Sequence, residues 1–251
     1  MKRSSNKKAE RLNKIIAMAG IASRRRADEF ISQGLVTVNG HKQTELGARA
    51  VWGIDAIEVD GHPIPGPPRK IYVMLNKPFG YVSTLRDPEG RPIIRDVIKD
   101  IKERIYPVGR LDFDSQGLLI LTNDGELSFR LMHPRFRIPR TYKVLVGGSL
   151  SDASVQKLKK GILLDDGLTN PAHVKIIDRQ QARSVVRITI FEGRPREIRR
   201  MLEAVGHKTL KLIRIGYGTL TLGSLKVGKY RHLRSGEVKT LRSSVGLRAM
   251  S

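Results

Sequence analysis

The sequence predicts an α+β protein in two parts: a small helical/β domain, then a larger mixed domain on a mainly antiparallel sheet. Three observations carry this. Strand patterns in the second part come in pairs joined by short turns, with a few helices interspersed. Two amphipathic helix patterns and a hairpin signal precede them, within residues 10–61. Between the two parts, His62-Pro-Ile-Pro-Gly-Pro-Pro-Arg-Lys70 holds four prolines and one glycine in nine residues, which neither a helix nor a central strand tolerates. It reads as a linker, 62–70, dividing domain 10–61 from domain 71–242. A basic arm, 1–9, and a tail, 243–251, flank them, and the basic residues Lys226, Lys229, Arg231, His232, Arg234, Lys239 and Arg242 towards the C-terminus are expected to add to a phosphate-binding surface.

Composition narrows the partners. The chain has 251 residues and a formal net charge of +23, from 47 basic and 24 acidic side chains. Such a balance points to a polyanion, most often nucleic acid. A membrane surface fits less well, because the cations are spread along the chain and no long apolar or amphipathic segment accompanies them. There is no cysteine. That removes disulfides and thiol nucleophiles and fits a reducing, cytoplasmic setting. Met1–Lys8 is basic without the apolar stretch of a signal peptide, and reads as an arm able to touch phosphates. The six histidines lack metal-ligand spacing, and no phosphate-binding glycine pattern is present. No metal and no cofactor are expected.

In the first domain, Leu12, Ile15, Ile16 and Ala19 share one helix face, and Gly20 suits its end. Ser23 is placed to cap a second helix, with Ala27, Phe30 and Ile31 inward and Gly34 at its stop. Leu35–Val38 reads as a strand, Asn39-Gly40 as a hairpin turn, and Ile57–Val59 as a further strand. Arg11, Lys14, Arg24, Arg25 and Arg26 remain outside, with Ser23 and the arginine run at a helix N-terminus that favours phosphate. The segment from Arg11 to Gly40 resembles the small RNA-binding domain first known from ribosomal protein S-four. That likeness implies recognition of structured RNA by shape and backbone.

In the second domain, Ile71–Leu75 is a strand, Asn76–Gly80 a turn and Tyr81–Leu85 a returning strand. Val97, Ile98 and Ile101 mark a short helix. Gly117–Thr122 is a short apolar run closed by Asn123-Asp124-Gly125, hence a buried strand. Leu127, Leu131 and Met132 mark a helix, Thr141–Val146 a strand, Val155 and Leu158 a helix, and Ser184–Phe191 a long strand. Pro195 starts a helix whose inner face is Ile198, Met201, Leu202 and Val205. Gly109–Asp112 is then a connection gripped between Ile105–Val108 and the buried strand, a setting that suits a reacting carboxylate.

Four runs together resemble pseudouridine synthases of the RsuA/RluB type. They are Asn76-Lys77-Pro78-Phe79-Gly80; Gly109-Arg110-Leu111-Asp112 with Ser115 and Gly117 to Gly125; Arg140-Thr141-Tyr142-Lys143; and Glu192 to Met201. The resemblance spans roughly residues 10–240. It implies that Asp112 is the catalytic carboxylate, that Tyr142 packs on the target base, and that Arg199 pairs with Asp112 and keeps it ionised. Beside these, the cations Arg110, Lys77, Arg196 and Arg200 are expected on the RNA, Arg196 and Arg200 as part of a phosphate-facing or solvated patch. One departure is visible: the family commonly has Gln where this chain has Glu197. The implied activity is isomerisation of a uridine in ribosomal RNA, 23S rRNA before 16S rRNA, on free RNA or an assembly intermediate, by a monomer. A non-catalytic rRNA-binding assembly factor would show the same charge, but has no need of a carboxylate among cations. A helix-turn-helix regulator of DNA would leave the second domain unexplained.

Overall fold

A computed structural model describes residues 9–248, in which the chain divides between Lys70 and Ile71 into two units. In the first unit, helix Leu12–Met18 turns Leu12, Ile15 and Ile16 inward, and helix Arg24–Ser32 buries Ala27 and Ile31 against them. The buried Asn13 amide donates to the Asp28 carboxylate at 2.9 Å and ties the two helices. Ser23 caps the second helix as expected, accepting from the Arg26 amide at 3.2 Å. Asn39 (φ 52°) and Gly40 (φ 79°) turn strand Val36–Val38 into His41–Gln43, the left-handed pair that a two-residue hairpin requires. Ile57–Val59 pairs on the other side of Val36–Val38. The expected linker begins late, because His62–Pro63 is itself an edge strand on Ile57–Val59. An edge position makes no use of the amide that Pro63 lacks.

The second unit is built on one sheet. Its strands lie in the order His173–Arg179, Arg183–Ile190, Arg140–Gly147, Thr209–Tyr217, Gln116–Thr122, Tyr72–Lys77 and Tyr230–His232. The short strand Tyr106–Pro107 also pairs with Gln116–Thr122. All pairings are antiparallel except the one between Thr209–Tyr217 and Gln116–Thr122. Tyr72–Lys77 is buried at every residue, and so is Gly117–Thr122. Alternate side chains feed two cores. Val73, Leu75, Leu119 and Leu121 point to one, under helix Glu197–Ala204. Met74, Leu118 and Ile120 point to the other, under helices Gly125–Met132 and Ser235–Ser243. Burial on both faces explains why these strands read as continuous apolar runs.

The parallel seam depends on a glycine. Gly117 has φ +113°, and a Cβ there would stand 2.3 Å from the Arg214 carbonyl oxygen. Only a residue without a side chain lets these strands meet.

Three expectations are corrected. Tyr81–Leu85 is not a strand; it makes one isolated bridge, Val82 to Ile93. Its polar groups serve the neighbouring loop, as described below. The helix expected around Val97, Ile98 and Ile101 is the single turn Ile94–Val97, followed by buried Ile98 and Ile101. Among the basic residues before the tail, Arg231 is occupied by Glu237 (2.6 Å) and Arg242 by buried Asp124 (2.7 Å), so these two cations hold the last helix instead of a phosphate. No helix among the described residues is long and apolar enough to cross a membrane.

Candidate active site

The loop from Gly109 to Ser115 runs between Tyr106–Pro107 and Gln116–Thr122 and is stitched from one side by residues 77–83. Lys77 ends its strand fully buried, and its ammonium donates to the carbonyls of Pro78 (3.0 Å), Asp112 (3.1 Å) and Ser115 (2.8 Å). Ser83 exchanges two hydrogen bonds with Leu111: its hydroxyl donates to the Leu111 carbonyl at 2.7 Å and accepts from the Leu111 amide at 3.1 Å. The Gly80 amide donates to the Phe113 carbonyl at 2.9 Å, and the Ser115 amide to that of Asp112 at 3.0 Å. Main-chain groups on both sides of Asp112 are thus committed. Its carboxylate is half-buried and makes no hydrogen bond or ion pair among the described residues. A rigid loop with an unspent carboxylate is prepared for a ligand.

Lys77 was expected on RNA, and its position corrects that. A fully buried ammonium cannot reach a phosphate; three carbonyls replace the water it has lost. Burial lowers its pKa to about 8, although Asp112 and Asp114 pull the other way.

The Asp112 carboxylate stands at a pocket of about 460 Å³. Arg110 and Tyr142 share its wall with Met132, Pro134, Arg214 and Tyr217. Tyr142 comes from strand Arg140–Gly147 and is 7% exposed, so its ring is a flat wall and no surface group. Arg110 is exposed and carries no ion pair among the described residues. Arg214 is fully buried; its Nε donates to the Leu118 carbonyl at 2.7 Å, and its guanidinium lies 5.1 Å over the Tyr217 ring. Its Nη2 has no partner.

Arg199 does not pair with Asp112. From helix Glu197–Ala204 its Nη2 donates to the Asp114 carbonyl at 2.9 Å and lies 3.2 Å from the Asp114 carboxylate. Arg196 meets the same carboxylate at 3.3 Å from a more exposed position. Two residues along a turn carry Asp114 to the helix while Asp112 faces the pocket, a distinction that residue spacing does not reveal. Arg200, expected on RNA, is occupied by Asp165 (2.6 Å) and Asp166 (2.9 Å) and braces the turn between Leu163–Leu164 and Gly167–Leu168. Glu197 is 3% exposed in the pocket wall, with Oε2 accepting from the Arg194 amide at 3.0 Å and Oε1 without a partner. Burial pushes its pKa to about 7; the Arg194 amide opposes this and the Glu192 carboxylate adds to it. Burial also raises Glu192, but the Asn170 amide and the Arg194 guanidinium outweigh it and hold that carboxyl low.

Comparison with known proteins gives this geometry its setting. Residues 71–204 match the family described as RNA pseudouridylate synthase, and residues 10–49 match the S4 domain. The "Ribosomal large subunit pseudouridine synthase B" of Bacillus subtilis is 47% identical over 93% of this chain and 96% of its own length. The chain is a pseudouridine synthase of the RsuA/RluB family. An "Uncharacterized RNA pseudouridine synthase" of Aquifex aeolicus is 45% identical over 95% of this chain and 96% of its own length. A solved structure of a pseudouridylate synthase superposes with a TM-score of 0.66 at 31% identity, over 92% of this chain and 99% of that one.

In the synthase's first unit the expected RNA-facing residues separate into two groups. Lys14 pairs with Glu10 and Arg26 with Glu29, so part of their charge is spent locally. Arg26 also lies over the half-buried Phe30 ring at 4.9 Å. The Ser23 hydroxyl is engaged as the helix cap. Arg11, Arg24 and Arg25 are exposed with no ion pair among the described residues. Residues 1–8 of the basic arm lie outside the described residues. Sequence reasoning missed Asp114, Ser83 and Arg214 as members of the synthase's site. Ser83 read as a strand residue, and neither Asp114 nor Arg214 stood out among the other charged side chains.

Proposed function

We propose that this synthase isomerises a uridine of ribosomal RNA, in the large-subunit 23S rRNA, and that Asp112 is the reacting carboxylate. One observation carries the assignment: Asp112 offers an unspent carboxylate to the pocket while its own main chain is pinned by Lys77 and Ser115. The name of the Bacillus subtilis relative favours the large-subunit RNA.

The glycosidic bond of a stacked, paired uridine is out of reach, so the nucleotide is extruded into the pocket. The Tyr142 ring gives the base a flat apolar wall. Arg110, charged and uncommitted, meets the backbone next to the vacated position. Asp112 either attacks the sugar's anomeric carbon or removes a sugar proton; both require an ionised carboxylate at fixed distance. The base detaches as an anion, turns, and rejoins through ring carbon five, which releases its proton as the ring nitrogen gains one. Arg199 and Arg196 serve through Asp114, holding the loop that carries Asp112. Arg11, Arg24 and Arg25 bind phosphates and set orientation. We read the protein as a monomer, since one sequence carries both the pocket residues and an RNA-binding domain.

The test is tritium release from 23S and 16S rRNA transcripts carrying uridine labelled at carbon five. Native protein releases tritium from the 23S transcript and Asp112→Asn does not. Equal release by both proteins removes Asp112 from the chemistry. Release from the 16S transcript alone reassigns the substrate, and release only from partly assembled particles makes an intermediate the substrate.

A further inference from the structure

Two large apolar side chains flank the reacting loop and remain in water. Phe79 is 65% exposed and Phe113 is 46% exposed. Phe113 directly follows Asp112, and Phe79 lies on the turn after Lys77. Their ring centroids are 6.5 Å apart, and the planes are inclined by 50°. One buried group mounts both: the Lys77 ammonium holds the carbonyl of Pro78, immediately before Phe79, and that of Asp112, immediately before Phe113. The Gly80 amide closes the frame by donating to the Phe113 carbonyl. Two rings held in water on a fixed backbone forgo the burial that usually accounts for an aromatic side chain.

We infer that Phe79 and Phe113 are a nucleobase-stacking platform, each ring taking one unpaired base that neighbours the target nucleotide in the RNA. This rests on the reading of Asp112 as the centre of the site. Three features select RNA bases as the occupant. The chain is strongly cationic, with a formal charge of +23, so a polyanion is the surface partner. The exposed, unpaired Arg110 lies two residues before Asp112 and supplies a phosphate contact at the same loop. Extruding a nucleotide also strips its neighbours of a stacking face, and an aromatic ring beside the pocket restores one. The 50° inclination prevents both rings from lying flat on a single base, so the platform takes two. The substrate class that follows is a uridine in a loop or bulge, with accessible neighbours.

The test uses the full chain in an Asp112→Asn background and a hairpin RNA whose loop carries 2-aminopurine beside a single uridine. Stacking quenches that fluorophore. Phe79→Leu and Phe113→Leu keep apolar volume but lose the flat face, and each is expected to raise Kd roughly tenfold. The double variant loses the quench, while Phe113→Tyr retains it. The salt dependence of binding stays as in the parent, because no phosphate contact is removed. An unchanged Kd and quench in the double Leu variant overturns the platform. So does a concentration-dependent dimer in sedimentation that the same variant abolishes, which would make the rings a contact between copies. A failed assignment of Asp112 appears elsewhere, as tritium release that survives Asp112→Asn while the quench persists.

Discussion

Lys77 and Asp112 are joined through the main chain: the buried ammonium donates to the Asp112 carbonyl oxygen at 3.1 Å, leaving the carboxylate to the pocket. On the proposed assignment of Asp112, the lysine positions the reacting carboxylate without neutralising it. Lys77→Met keeps the length of the side chain and leaves three carbonyls without their donor. The expected result is a single-turnover rate lower by on the order of a hundredfold, as displacement of a reacting group by about 1 Å brings. The native rate should also fall as pH rises through about 8, where the amine loses the proton it needs to serve all three carbonyls. A pH profile of single-turnover tritium release checks both. A Lys77→Met rate within a few-fold of native removes the positioning role.

Glu197 makes stability depend on pH. Its folded pKa of about 7 stands above the ordinary value of 4.5, so the folded chain binds this proton more tightly than the unfolded one. The corresponding stability is complete below about pH 4.5 and is lost as pH rises through 7. Glu197→Gln keeps the shape and removes the titration. Urea denaturation at about pH 5 and about pH 8 should show native protein losing roughly 2 kcal/mol more than the variant over that interval. Parallel losses would mean that Arg194 already stabilises the ionised form.

Much of the fold was legible because its signals are local. Asn39-Gly40 demands a left-handed pair of residues, Ser23 is a helix cap, and Gly117–Thr122 is an apolar run closed by turn residues. Asp112 was singled out by the resemblance that its run carries; a polar connection between two short apolar segments suits a reacting carboxylate but does not by itself identify one. What stayed hidden depends on which partner a side chain finds across the fold. Ser83 looked like a strand residue, yet its hydroxyl bonds both main-chain groups of Leu111. Lys77 looked like a surface cation because its three carbonyl partners arrive mainly from the loop around Asp112. The pairing of Arg199 with Asp114 turns on the direction of one loop carbonyl.

That pairing can be dissected by a double-mutant cycle. If Arg199 acts by holding Asp114, then Asp114→Ala, Arg199→Ala and the pair together should slow turnover by similar amounts. The coupling should be about 1–2 kcal/mol in activation free energy. If Arg199 instead meets the Asp112 carboxylate during reaction, the two effects add and the coupling vanishes. Single-turnover tritium release for the four proteins separates these cases.

Arg214 sets stability against function. Its guanidinium is buried in the second unit; it donates from Nε to the Leu118 carbonyl, and no carboxylate lies within ion-pair distance among the described residues. The Tyr217 ring face compensates part of the charge, but Nη2 stays unbonded. A buried charge without a counter-ion costs several kcal/mol after relaxation, and an apolar replacement of similar volume is often stabilising. If the pocket at Asp112 receives the nucleotide as proposed, the same cation attracts its negative charge. Arg214→Met should therefore raise unfolding stability by about 1–3 kcal/mol. It should also lower the single-turnover rate at least about tenfold, as the loss of one charged contact implies. Urea denaturation and tritium release on one preparation provide the comparison. Stability and rate falling together would make Arg214 a structural support of the seam at Gly117 and nothing more.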